Sequence, residues 1–80
     1  MTTTGTLRDR SLITIAMTQA AYQTDQLRGH LRRGLDNGIT PEELSEMMAR
    51  VTLYAGFPSG VNGSRVLAEV LQERGIPLRD

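Results

Sequence analysis

Apolar residues recur along this chain at intervals of three and four and nowhere alternate convincingly with polar ones, so the sequence predicts helices and no strand. Residues 7–22 carry Leu12, Ile13, Ile15, Ala16, Ala20 and Ala21. That set is too apolar for a freely solvated surface helix and predicts a first helix buried on most sides. A second helix is predicted from Thr24 as N-cap to Asn37-Gly38. Asp25 stands near the positive end of its dipole, Leu27, Leu31 and Leu35 form its apolar stripe, and Gly38 closes it in the left-handed conformation. The short connection makes these two helices antiparallel.

Thr40-Pro41-Glu42-Glu43 is the clearest local signal: a threonine cap, proline in the first turn and a glutamate that completes a capping box. The third helix then offers Leu44, Met47, Met48, Val51 and Tyr54 or Ala55 to a core, until Gly56-Phe57-Pro58 breaks it. A fourth helix over residues 59–74 shows Val61, Val66, Leu67, Val70 and Leu71 and stops at Gly75. Its first turns contain Gly60, Asn62, Gly63 and Ser64, poor helix formers whose small size predicts close approach of another helix or of a ligand. The class is all-α.

At 80 residues the chain is one small domain, burying about two-thirds of its unfolded surface. Residues 1–6 and 77–80 are expected to be tails. With no cysteine and a single histidine, disulfides are excluded and a metal site is not expected, which leaves oligomerisation as the device for extra stability. Nine basic and nine acidic residues cancel, so nothing draws the chain toward nucleic acid or anionic lipid. A small DNA-binding helical domain, suggested by Arg28, Arg32, Arg33 and the turn at Gly38, is opposed by that neutrality. Residues 1–6 lack the pattern of a signal peptide, and no apolar run approaches the roughly 20 residues that cross a bilayer. A soluble, cytoplasmic protein is expected, with no membrane partner.

All nine cations are arginine. Both anionic ligands, which suit its two-pronged donor, and genomic composition produce that bias. Arg28 and Arg32 share a face beside His30, either as a solvated surface or as a carboxylate clamp. Glu42, Glu43 and Glu46 are explained by the cap and dipole of the third helix. His30 is the only side chain that ordinarily titrates near neutrality. It projects from the apolar stripe of the second helix or its edge, as a packed, hydrogen-bonded histidine or as an acid–base group. Thiol chemistry is impossible without cysteine, and no Gly-Xaa-Ser-Xaa-Gly elbow is present.

Four segments in order, Asp9-Arg10-Ser11-Leu12-Ile13-Thr14-Ile15-Ala16, Gln26-Leu27-Arg28-Gly29-His30-Leu31-Arg32, Asp36-Asn37-Gly38-Ile39-Thr40-Pro41-Glu42-Glu43-Leu44 and Tyr54-Ala55-Gly56-Phe57-Pro58 to Asn62, resemble the carboxymuconolactone decarboxylase family. The resemblance implies a small four-helix antiparallel bundle of the alkylhydroperoxidase D-like type over residues 7–76. Redox members of that fold carry Cys-Xaa-Xaa-Cys separated by three residues from a histidine; here Gln23 and Gln26 stand in those places ahead of His30, so the decarboxylase branch is implied.

Its reaction is the cofactor-free loss of carbon dioxide from 4-carboxymuconolactone to give 3-oxoadipate enol-lactone, in protocatechuate breakdown. The electrons left behind spread into a dienolate. The protein has to hold carboxylates, stabilise negative charge on the lactone oxygen and return a proton to carbon.

By that resemblance His30 is the proton donor or oxyanion stabiliser, while Arg10, Arg28 and Asn62 bind substrate. Gly56-Phe57-Pro58 either shapes the pocket or simply breaks a helix. The partners implied are a small dicarboxylate lactone and further copies of the chain, as a trimer or hexamer. Family decarboxylases carry several dozen residues ahead of the segment matching Arg10-Ser11-Leu12, which leads to the expectation of a pocket short of one wall. The competing reading is a non-catalytic oligomeric helical domain that keeps the family core.

Overall fold

A computed structural model describes residues 6–77. It contains four helices, α1 (Leu7–Ala20), α2 (Thr24–Asp36), α3 (Pro41–Ala55) and α4 (Phe57–Glu73), and no strand among the described residues. Of the expected tails only Thr6 and Pro77 are described, and Thr6 already belongs to the fold. Its hydroxyl caps α1 by accepting the Asp9 N–H at 3.1 Å.

Local chemistry sets the helix ends. After α1, Tyr22 takes the left-handed conformation at φ 62°, and the Gln23 N–H reaches back to the Thr18 carbonyl at 2.9 Å. This is a Schellman-type stop with a tyrosine where glycine is usual. Thr24 is not the N-cap of α2, as the sequence predicts. Gln23 holds that position without a side-chain cap, and the Thr24 hydroxyl donates instead to Asn62 Oδ1 at 3.3 Å. The capping box of α3 forms as predicted: the Glu43 N–H donates to Thr40 Oγ1 at 3.1 Å, and the Thr40 N–H donates to Glu43 Oε1 at 2.9 Å. Only Gly56, at φ 97°, separates α3 from α4. Pro58 falls in the first turn of α4, where its missing N–H costs nothing.

The helices form two antiparallel hairpins, α1 with α2 and α3 with α4. Asn37 at the end of α2 donates to Ser11 at the start of α1. The hairpins then pack in parallel register: α1 runs along α3, and α2 along α4, with α2 and α3 across the diagonal. Buried Ile15, Leu27, Leu31, Leu44, Val66 and Val70 fill the centre.

The small residues at the start of α4 face inward, as their size predicts. A Cβ on Gly60 would stand 2.4 Å from Thr52 Oγ1, and one on Gly63 would stand 3.0 Å from Gln19 Cγ. Because Ser59, Gly60, Asn62 and Gly63 occupy this contact, Val61, predicted inward, is 67% exposed. Tyr54 and Ala55, one or the other of which is expected in the core, are both exposed. Helix α1 is not covered on most sides within one chain: Ile13 and Met17 are exposed.

Gly60→Ala is expected to lower stability by about 1–3 kcal/mol, the usual cost of overpacking, measured as a lower urea midpoint. Adding Thr52→Ala removes the atoms in the way, so the double variant should recover most of the loss. An unchanged midpoint in Gly60→Ala would refute the close contact.

Candidate active site

His30 lies midway along α2 between buried Leu27 and Leu31 and is half-buried itself. Neither ring nitrogen bonds to a described residue. Arg33, one turn on, turns its guanidinium toward Gly29, where a Cβ would lie 3.9 Å from Nη2.

The neighbouring arginines are committed to α4. Arg28 donates to Glu69 at 2.9 Å and to Asp25 at 3.3 Å. Arg32 grips Glu73 with two bonds of 2.6 and 3.0 Å. At the foot of the seam Arg74 donates to Asp36 at 2.7 Å and to the Arg32 carbonyl at 3.0 Å. Hydrogen bonding to these guanidinium groups holds the Glu69, Glu73 and Asp36 carboxyls below the usual carboxylate range. Glu43 is likewise lowered, first by the Thr40 N–H and then by the charge of Arg8.

Asn62 is buried and belongs to the same network. Its Oδ1 accepts from Arg65 at 2.8 Å as well as from Thr24, and Arg65 in turn holds Glu69 at 3.0 Å. Arg28 and Asn62 are therefore joined through Glu69 and Arg65. His30 is outside this network, and so is Arg10. Arg10 adjoins Ser11, which meets Asn37 seven residues beyond His30, on the order of 10 Å along the helix axis at 1.5 Å per residue. Asn62 sits at the level of Thr24, about as far in the other direction.

Arg65, Glu69 and Gln19 were not among the candidates. The spacing of Asn62, Arg65 and Glu69 by three and four could have flagged the first two. Gln19, fully buried in an apolar helix, donates from Nε2 to the Met48 carbonyl at 3.3 Å, while its Oε1 and Asn62 Nδ2 have no partner.

Hollows open on the surface among the described residues. One of about 540 Å³ lies between α3 and α4 over Met48, Thr52, Leu67 and Leu71, and one of about 480 Å³ lies between α1 and α3. None of His30, Arg10, Arg28 or Asn62 lines either. Among the described residues no three His, Cys, Asp or Glu side chains converge to hold a metal, and no helix is long and apolar enough to cross a membrane.

Among the described residues the chain is all-α, four helices with a half-buried histidine on α2 beside paired arginines. Residues 3–69 match the Carboxymuconolactone decarboxylase family, and the chain belongs to it. Over 67 residues it is 42% identical to a protein of Acinetobacter baylyi named 4-carboxymuconolactone decarboxylase, a match that covers 84% of this chain and 50% of the relative. The chain thus spans about half the length of that curated relative. No solved structure matches it.

The lowered carboxyls make stability depend on pH in one direction. A carboxylate whose folded pKa lies below its unfolded value stabilises the fold above the unfolded pKa, and that contribution is lost as pH falls through the folded one. The thermal midpoint should therefore hold steady down to about pH 5 and then decline. Glu69→Gln should flatten part of that decline; an identical acid profile in the variant would show that the α2–α4 pairs carry none of it.

Proposed function

We propose that this chain is a carboxymuconolactone decarboxylase-type lyase in which His30 supplies the proton. The lactone loses one carboxylate as carbon dioxide, the C–C bonding pair passes into a dienolate delocalised onto the lactone oxygen, and the imidazolium of His30 protonates carbon to give the enol-lactone. Solvent then returns a proton to the neutral imidazole of His30, which completes the cycle. No cofactor is required, because the substrate's own conjugated carbonyl is the electron sink. Membership in the family, together with a half-buried histidine whose ring nitrogens are uncommitted, is the observation that supports this reading.

Arg10 is the candidate for the retained carboxylate, since no ion pair engages its guanidinium among the described residues. Arg28 and Asn62 could contact substrate only by exchanging partners with Glu69 and Arg65. That commitment, and the spread of the four candidates along α2, favour the second reading, an oligomeric helical domain that keeps the family core without its turnover.

Lactone consumption by purified protein separates the two. On the first reading both His30→Ala and His30→Gln lose about 10²-fold or more in kcat, the usual share of a positioned acid–base group, with helical circular dichroism unchanged. Undiminished turnover in either folded variant removes His30 from the chemistry, and no turnover by the parent chain at high concentration favours the second reading.

A further inference from the structure

Arg8, Arg28, Arg32, Arg50, Arg65 and Arg74 all stand in ion pairs. Among the described residues Arg10 and Arg33 take part in none. Both lie on the edge of the bundle that carries His30. On α2 the residues His30, Arg33 and Asn37 follow one another at i, i+3 and i+7, which puts them on one side of the helix. Asn37 donates to Ser11 at 2.9 Å, so that side looks to α1 at the end where Arg10 precedes Ser11. Arg28 and Arg32 occupy the other side, facing α4. The aspartates next along the chain already have partners: Asp9 has Arg8, Asp25 has Arg28 and Asp36 has Arg74. Gly29 adds an independent observation. A glycine inside a helix is destabilising relative to alanine, and apart from its own helix backbone the Cβ it lacks would meet within 4 Å only Arg33, whose Nη2 would stand 3.9 Å away. The Arg33 guanidinium is thus drawn back by about one turn, alongside Gly29 and close to the level of His30, with no side chain at 29 to crowd it.

We propose that Arg33 is a substrate-positioning residue, holding the second negative charge of a dicarboxylate beside His30 while Arg10 holds the first. The proposal rests on the lyase reading above. In that reaction the substrate enters with two charges, and one stays on the retained carboxylate. The other starts on the departing carboxylate, passes with the C–C bonding pair into the dienolate as neutral carbon dioxide leaves, and is cancelled when His30 protonates carbon. The charge to be held next to His30 is therefore the one that moves. A cation three residues from His30, about 4.5 Å along the helix axis, meets that charge in either place. Arg10, at the level of Asn37, is placed for the charge that stays.

A guanidinium suits this task, because it keeps its proton and its fork presents parallel donors to a carboxylate. Two cations on one edge, neither of them neutralised by a described carboxylate, attract a dianion more strongly than a monoanion. Arg33 thereby sets a preference for the second carboxylate. Because it meets the moving charge before and after the bond breaks, its contribution falls on substrate binding and not on the rate of the chemical step.

The probe is adipate, an unreactive dicarboxylate, set against its monomethyl ester, which has the same carbon chain and one charge. Titrated into the full chain, adipate should shift the Nε–H resonances of Arg10 and Arg33 and the imidazole resonances of His30. It should bind about tenfold more tightly than the ester, the worth of one charge-assisted hydrogen bond. Arg33→Gln should bind the two alike, and Arg33→Lys should keep part of the preference. Arg50→Gln, on α3 away from this edge, should leave it intact. In turnover, Arg33→Gln should raise KM for the lactone about tenfold and leave kcat within about twofold, the reverse of the effect of His30→Ala. Equal affinity of the parent for adipate and ester overturns the proposal. So does an Arg33→Gln variant that keeps the parent's preference, or one whose only loss is in kcat. The two readings fail separately. A parent that prefers adipate through Arg33 yet consumes no lactone supports the dicarboxylate site and refutes the lyase, whereas lactone consumption with Arg33→Gln equal to the parent in both assays keeps the lyase and removes Arg33.

Discussion

The close passage of α4 over Thr52 and Gln19 is the constraint from which the remaining arrangement follows. Gly60 and Gly63 give the neighbouring side chains room that a single extra carbon would occupy, with a Cβ at Gly60 already inside contact distance of Thr52. That fixes the rotation of α4 about its axis. Ser59 and Asn62 turn inward with the glycines, Phe57 and Val61 turn out, and further along Val66 and Val70 reach the core while Arg65 and Glu69 come to the α2 side. One steric fact thereby decides both which apolar residues are left on the surface and which cations α4 can capture.

The consequence for chemistry is that arginine number says little about arginine availability. Four of the nine arginines stand on the α2–α4 seam or close to it in ion pairs with α2 or α4 carboxylates, and the pairs are exposed enough that each adds little stability by itself. Their effect is on position. Arg28 has a defined place because Asp25 and Glu69 hold it, and Asn62 has one because Thr24 and Arg65 do. His30 has no such partner among the described residues.

Helix ends were legible in the sequence because capping is a transaction among neighbours. Thr40, Pro41 and Glu43 contain the whole signal for the start of α3, and Gly38 and Gly56 mark turns at positive φ that other residues enter at a cost. Thr24 shows the limit of this reasoning: its hydroxyl suits a cap, but Asn62, 38 residues away, offers a different acceptor. Arg28 and Arg32 were recognisable as a pair on one face, whereas their partners lie 41 residues further on and depend on the rotation of α4. Apolar periodicity also misplaced Val61 and Tyr54. A stripe identifies the side of a helix that avoids water without saying whether the same chain provides the cover.

That last distinction bears on the site as much as on the surface. A histidine half-buried in one chain, with Arg10 and Asn62 displaced by roughly two helical turns in either direction and Arg28 committed to Glu69 and Asp25, is poorly arranged to grip a small dicarboxylate alone. Convergence requires added surface near α2, a different pairing for Arg28, or a substrate whose two carboxylates span the interval to Arg10. Only the last leaves the intramolecular network untouched, and it assigns the gripping task to the one candidate arginine that the fold leaves unpaired among the described residues. Among the described residues Arg10 and His30 take part in no side-chain ion pair, while Arg8 holds Asp9 and Glu43 and the α4 carboxylates go to Arg28, Arg32 and Arg65.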